Sequence, residues 1–232
     1  VRQWQWLDRH AHVELVPLVD LVERLRMIKD EEEIAILRRA GRLLSEIVPD
    51  VIALASRKRP EVEIAREIDR LVLEAGFDRT AFETIVASGP NSALPHAHPT
   101  ARELSDGDLV ILDFGGVLDG YCVDISRTVV VGIADAECKR LYSAVQEAQR
   151  AAIDKVIPGE SAEQIDAAAR DVLDSYGLGE AFGHSTGHGL GLDVHELPRV
   201  GRKQASAEPV MLESGMVFTI EPGVYVPGLG GV

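Results

Sequence analysis

Asp113 and Asp124 flank a glycine-punctuated stretch, in the run Leu109-Val-Ile-Leu-Asp-Phe114, Gly115-Gly116 and Tyr121 to Val131. The β-branched and aromatic residues around them predict a β-hairpin with its turn among the glycines. Folded about the midpoint between Leu118 and Asp119, this hairpin sets Asp113 directly opposite Asp124, with Cβ atoms roughly 4.5 to 5.5 Å apart. Asp124 then shares a face with Ser126 and Thr128, whereas Val123 and Ile125 point the other way. Like charges paired across a half-buried sheet are destabilising unless a cation lies between them or one carboxyl takes up a proton. A divalent metal resolves the conflict. The hairpin alone leaves a second reading open, in which the register differs and both aspartates cap turns.

The second half of the chain adds to the metal reading. Gly187-His188-Gly-Leu-Gly-Leu-Asp-Val-His195-Glu196 surrounds a histidine with glycines, which let backbone and imidazole approach a site closely. Thr219-Ile220-Glu221-Pro222-Gly223 puts a carboxylate in an apolar segment that reads as a strand cut short by a turn. An unpaired charge there is costly, so Glu221 calls for a partner. Two Asp, one Glu and one His form an oxygen-rich set with a single nitrogen, which favours manganese, cobalt or iron over a thiolate-type structural zinc site.

Helices must carry these segments. Ile34, Leu37, Ala40, Leu44, Ile47 and Val51 recur at helical spacing after Asp30-Glu31-Glu32-Glu33, predicting an amphipathic helix over 31–56. A second helix runs from Glu61 to Ala75, with Gly76 suited to the left-handed position that ends it. The pattern recurs with a helix from Asp135 to Val156, stopped by Pro158-Gly159, and another from Ser161 to Tyr176, opened by a Ser161/Gln164 capping box and followed by Gly177. Helix, helix, strands appears twice, which predicts an α+β fold of two similar halves packed face to face.

Composition narrows the function classes. The 232 residues are 46% hydrophobic, enough for an ordinary core, and the net charge of −14 repels phosphate backbones and anionic membranes. Neither nucleic acid nor a membrane is an expected partner. Cys122 and Cys138 form no CxxC pair or disulfide framework, and no apolar run approaches the ~20 residues of a bilayer span, so a cytoplasmic protein is expected. Residues 1–23, with Trp4, Trp6 and His10, read as the tail of a preceding domain and carry no assigned chemistry.

Six ordered motifs then identify a family. Ser88-Gly-Pro-Asn-Ser-Ala-Leu-Pro-His96-Ala-His98-Pro, Asp113-Phe-Gly-Gly, Asp124-Ile-Ser-Arg-Thr, Gly187-His188-Gly, Val194-His195-Glu196-Leu-Pro-Arg199 and Glu221-Pro-Gly resemble the pita-bread metallopeptidases, the family of methionine aminopeptidase, aminopeptidase P and prolidase. The resemblance covers residue 24 onward and is closest to the Xaa-Pro branch. It implies the pita-bread fold, a catalytic domain over 24–232, and two divalent ions, manganese first, with cobalt, iron or zinc as alternatives. Asp113 and Asp124 would bind metal, Asp124 bridging both ions, and His188 and Glu221 would bind one of them. His96 and His195 would line the substrate pocket, and Arg199 would hold the substrate's carboxylate. His98 is expected to point elsewhere and His184 to be structural or to support the ligands.

The implied reaction is hydrolysis of a peptide bond to proline by a metal-activated water. Glu221 would accept the water's proton and deliver it to the proline nitrogen, while His195 or His96 hydrogen-bonds the developing oxyanion. The substrate would be a peptide with proline in second position, and the resemblance allows a homodimer. The family's second bridging Glu follows a Gly-Gly-Val-Arg stretch, and the sequence stops at Val232 within that stretch. Truncation at this end would weaken metal binding. The competing readings are a non-catalytic binding module of the same fold, another aminopeptidase specificity, and creatinase-like C–N hydrolysis without metal.

Overall fold

The structure, a computed structural model, describes Trp6, His10, Val16 and residues 18–55, 59–203 and 208–232. Trp4 and most of residues 1–17 lie outside the described residues. Helix α1 (Leu21–Met27) is followed by α2 (Glu31–Glu46), α3 (Val48–Ala55) and α4 (Glu61–Glu74), which pack on a sheet of β1 (Arg79–Thr80), β2 (Ile85–Ser88), β3 (Leu109–Leu118) and β4 (Tyr121–Val130). Strand β3 is central: β1 and β2 pair in succession along one edge and β4 along the other, all antiparallel.

The helix predicted over 31–56 is two helices. Its start is as read, with Asp30 accepting from the Glu33 N–H and the Glu33 side chain accepting from the Asp30 N–H. Pro49 then lacks the N–H needed to continue the ladder, and the chain breaks at Ile47 before α3. The apolar face survives the break, since Leu37, Ala40, Leu44 and Val51 are all buried.

The second half contains α5 (Ala136–Ile153), α6 (Ala162–Ser175), the pairs β5 (Gly187–Gly189) with β6 (Glu196–Val200) and β7 (Tyr225–Val226) with β8 (Gly230–Gly231), and a core of its own around Leu141, Ile165, Leu173 and Phe182. Ser161 caps α6 by accepting from the Gln164 N–H, but the reciprocal half of the expected capping box is replaced: Glu160, not Gln164, takes the Ser161 N–H.

The last helix of each half, α4 and α6, ends in the same way. Gly76 and Gly177 take positive φ, and the next residue's N–H reaches five residues back, Phe77 to Val72 and Leu178 to Leu173. This is a Schellman closure, and it buries the apolar residue that follows each glycine. The repeat of helix, helix and strands thus extends to the helix terminators. No helix among the described residues is long and apolar enough to cross a membrane.

Candidate metal centre

The hairpin that should carry both aspartates is present, but its register differs from the expected one by two residues. Leu118 pairs with Tyr121, so the turn is Asp119-Gly120, both with positive φ, and Asp113 faces Ser126 while Asp124 faces Gly115. Asp-Gly is a strong signal for a two-residue hairpin turn with both φ positive. Gly115 and Gly116 lie inside β3, where they serve close packing: a Cβ at Gly116 would stand 2.4 Å from the Phe77 ring, and one at Gly115 2.3 Å from the Val123 carbonyl. A two-residue shift keeps every side chain on its face, so the aspartates become diagonal neighbours. The repulsion remains. Burial first, then the charge of Asp124, hold the Asp113 carboxyl well above the usual carboxylate range, against the opposing pull of the Ser126 hydroxyl, which donates to Asp113 Oδ1 at 3.0 Å.

Opposite this hairpin, β5 delivers His188. The segment carrying Glu221 is not the strand expected. It runs alongside β5, with the Thr219 N–H donating to the His188 carbonyl at 2.8 Å and the Glu221 N–H to the Thr186 carbonyl at 2.7 Å. The return bond is diverted, because the His188 N–H donates to Thr219 Oγ1 at 3.0 Å instead of to a backbone carbonyl. That hydroxyl in turn donates to Glu221 Oε1 at 2.6 Å. Thr219 therefore gives up regular sheet pairing and fixes both functional side chains. Gly187 permits the approach, since a Cβ there would lie 1.9 Å from the Thr219 carbonyl oxygen.

His188, Asp124 and Glu221 each offer a ligand atom within 4.8 Å of the others. His188 Nε2 is 3.0 Å from Glu221 Oε1 and 3.6 Å from Asp124 Oδ2. The imidazole is oriented from behind: its Nδ1–H donates to the Gly189 carbonyl at 3.1 Å, which aims Nε2 at the carboxylates. Burial pulls the His188 pKa down, but the hydrogen bonds with Asp124 and Glu221 outweigh it and raise the value to about 10. Burial opposes ionisation of Glu221 as well, yet its bonds with His188 and Thr219 hold it below the ordinary value. In this arrangement a proton on His188 supplies the positive charge that the carboxylates demand. Asp124 Oδ1 is buried with no hydrogen-bond partner. A buried carboxylate oxygen without a donor is costly, and a cation satisfies it; the donor set fits a hard or borderline divalent metal.

Among the other expected site residues, His195 stacks edge-on against His188, with ring centroids 4.2 Å apart. Burial, then the charge of His188 and more weakly that of His96, keep the His195 imidazole below its ordinary pKa, so these rings share one electrostatic environment. His96 and His195 are both solvent-exposed. The segment holding His96 is irregular, since Pro95 and Pro99 cannot donate to a ladder. His98 turns to Glu83 at 2.9 Å, away from the centre. Arg199 pairs with His188 across β5 and β6, and its Nε–H donates to Ser185 Oγ at 2.8 Å. It lines a cleft of about 410 Å³ with Arg170, Phe182, His184, Ser185 and Arg202.

One neighbour, Tyr225, carried no signal in the sequence, and it meets His184, which was expected to be structural or to support the ligands. Tyr225 is held above the ordinary phenol range by burial first, then by the charges of Glu221 and Asp113. Its hydroxyl meets His184 Nε2 at 3.0 Å, and His184 Nδ1 donates to the Ser185 carbonyl at 2.8 Å. Tyr225 thus bonds His184 while feeling the charge of the Glu221 and Asp113 carboxylates.

Residues 35–232 match the model of metallopeptidase family M24. The chain belongs to this family. The M24 chain is 41% identical over 227 residues to the Xaa-Pro dipeptidase of Pyrococcus horikoshii, covering 97% of this chain and 64% of that protein. Its fold superposes on the Xaa-Pro dipeptidase from Bacillus anthracis with a TM-score of 0.93 at 37% identity, covering all of this chain and 64% of that one. It also superposes on the X-Pro aminopeptidase from Thermotoga maritima with a TM-score of 0.88 at 34% identity, covering 99% and 64%. The α+β architecture of two similar halves is therefore the pita-bread fold, and membership of M24 carries divalent metal binding with it. The chain spans somewhat under two thirds of the length of these relatives.

Proposed function

We propose that the protein of which this M24 chain is the catalytic domain hydrolyses Xaa-Pro peptides, as a dipeptidase, using two divalent metal ions. The observation that carries the reading is that Asp124, His188 and Glu221 each bring a ligand atom within 4.8 Å of the others, while Asp124 also holds a buried oxygen, Oδ1, with no donor. Asp113, held beside Asp124, is the fourth candidate ligand, and a second bridging Glu beyond Val232 would be the fifth. When bound, the metal pair supplies Lewis acidity and a water acidified enough to attack at neutral pH. Manganese is our first choice, ahead of cobalt, iron and zinc.

The chain's own groups supply the proton transfers. Glu221, fixed by the Thr219 hydroxyl, accepts the proton of the attacking water and passes it to the leaving proline nitrogen. His195, kept neutral, donates a hydrogen bond to the carbonyl oxygen as it becomes anionic, with His96 beside it. A bond to proline presents a tertiary amide without an N–H, so the pocket must accept a ring where other peptides offer a donor. The reading also includes a cytoplasmic location, for which the two free buried cysteines are the support, and a homodimer. Residues 1–23 would be the tail of a preceding domain, against which the exposed row Leu18, Leu21, Val22 and Leu25 could pack.

The dipeptidase reading rests on Arg199, which pairs with His188 across β5 and β6, lines a cleft with Arg170 and Arg202, and would pair with the free carboxylate of a dipeptide. In the full-length protein, a Xaa-Pro dipeptide should be hydrolysed faster than a longer Xaa-Pro peptide. Arg199→Ala should raise KM for the dipeptide by about 10- to 100-fold, the worth of a charge-assisted hydrogen bond, with kcat nearly unchanged. Faster turnover of the longer peptide would instead mark an aminopeptidase.

A further inference from the structure

Glu61 is fully buried at the start of α4, yet among the described residues its hydrogen-bond donors include no lysine or arginine. Neutral groups satisfy its carboxylate. Oε1 accepts from the Ser88 N–H at 2.7 Å and the Ser88 hydroxyl at 2.6 Å; Oε2 accepts from the Thr100 N–H at 3.0 Å and the Thr100 hydroxyl at 2.7 Å. The Asn91 amide reaches both oxygens, at 3.2 and 3.0 Å. These donors lie at the two ends of one segment: Ser88 closes β2, and Thr100 ends the irregular stretch that carries His96. The Val62 N–H reinforces the far end by donating to the Thr100 carbonyl at 3.0 Å.

A segment interrupted by Pro90, Pro95 and Pro99 has few ladder bonds to define its path. One desolvated carboxylate with donors from both ends fixes where it leaves and where it returns. The loop between is short, so the position of His96 follows. We infer that Glu61 is a positioning residue for catalysis: it closes the loop that holds His96 against the substrate, without touching substrate or metal itself. The inference rests on the proposed placement of His96 in the substrate pocket.

The second half holds its site in a similar way. Asp166 on α6 is buried and accepts from the Thr186 N–H at 3.1 Å and the Thr186 hydroxyl at 2.8 Å, two residues before His188. Each half therefore uses a carboxylate on its last helix, bonded to the N–H and hydroxyl of one Ser or Thr, to anchor a histidine-bearing segment.

A double-mutant cycle in the full-length, metal-loaded protein tests this, with Glu61→Gln, His96→Ala and the pair. Glu61→Gln keeps the shape but turns an amide donor toward Ser88 or Thr100, so Thr100→Val, which removes one hydroxyl donor, is carried in parallel should the first variant fail to fold. The expected result is unchanged metal content and a fall in kcat/KM of about tenfold or more in the parent background, the scale of a catalytic group misplaced by a fraction of an ångström to 1 Å. In the His96→Ala background the same change should cost no more than about twofold, because coupled residues are not additive. Equal losses in both backgrounds, or no loss in either, would overturn the positioning role. Full activity in His96→Ala alone would also overturn it, while leaving the metal-centre reading intact if metal content and Xaa-Pro hydrolysis persist.

Discussion

Asp124→Asn in the full-length protein should abolish stoichiometric metal binding and lower Xaa-Pro hydrolysis by at least ~10³-fold, since a Lewis acid contributes several kcal/mol and each 1.36 kcal/mol is a factor of ten. The substitution is nearly isosteric, but it removes the charge of the carboxylate whose Oδ1 has no donor and turns either a neutral oxygen or an N–H toward the centre. Folding should be spared. Asp124 is a principal reason that the Asp113 carboxyl resists ionisation, so its neutralisation relieves a like-charge contact. His188 loses its partner at 3.6 Å but retains Glu221 at 3.0 Å. With chelator present, the variant should melt within about 4 °C of the parent, a difference near 1 kcal/mol for a chain of this size. Metal analysis, thermal melting and kinetics together check the prediction; unimpaired turnover would remove Asp124 from the reaction.

Gly187→Ala should have the next largest effect, although it changes no candidate ligand. Its Cβ would fall 1.9 Å from the Thr219 carbonyl oxygen and 3.0 Å from Thr219 Oγ1. Neither β5 nor the 217–221 segment can remain in place, and the hydroxyl that holds both the His188 N–H and Glu221 Oε1 moves with them. Overpacking of this kind costs about 1–3 kcal/mol of stability. Loss of the groups that orient ligands lowers metal affinity or activity by about 10- to 100-fold. Gly183→Ala is the matched control, because a Cβ at Gly183 meets nothing within 4 Å. Calorimetric metal titration and melting of both variants decide the matter: a parent-like Gly187→Ala would show that the close approach of Thr219 is dispensable.

Both cases turn on features unevenly legible in the amino-acid sequence. Helical periodicity and end signals place the start of α2 and both ends of α4, α5 and α6 to within a few residues, since an apolar stripe and a terminal glycine are local properties. The break at Ile47 was also local, but the apolar stripe runs through Pro49 and masked it. The hairpin register differs by two residues because the turn is Asp119-Gly120, one residue beyond the fold point expected between Leu118 and Asp119. The aspartates stayed on one face only because the error was an even number. Glu221 lies in a segment whose strand pairing is interrupted by a side chain, Thr219, and no period in the sequence encodes such an exchange. Tyr225 and Glu61 were invisible for a related reason. Their roles come from contacts made across turns or between residues far apart in the chain, as with Glu61 and Thr100, 39 positions apart.

The most direct test of the account is the metal content of the full-length protein, purified without added metal and measured by elemental analysis after reconstitution with manganese. About two equivalents of divalent metal per chain are expected, as for a paired-metal site, with hydrolysis of a Xaa-Pro dipeptide lost on chelation and regained on readdition. Hydrolysis that persists at full rate in protein stripped of metal would contradict it.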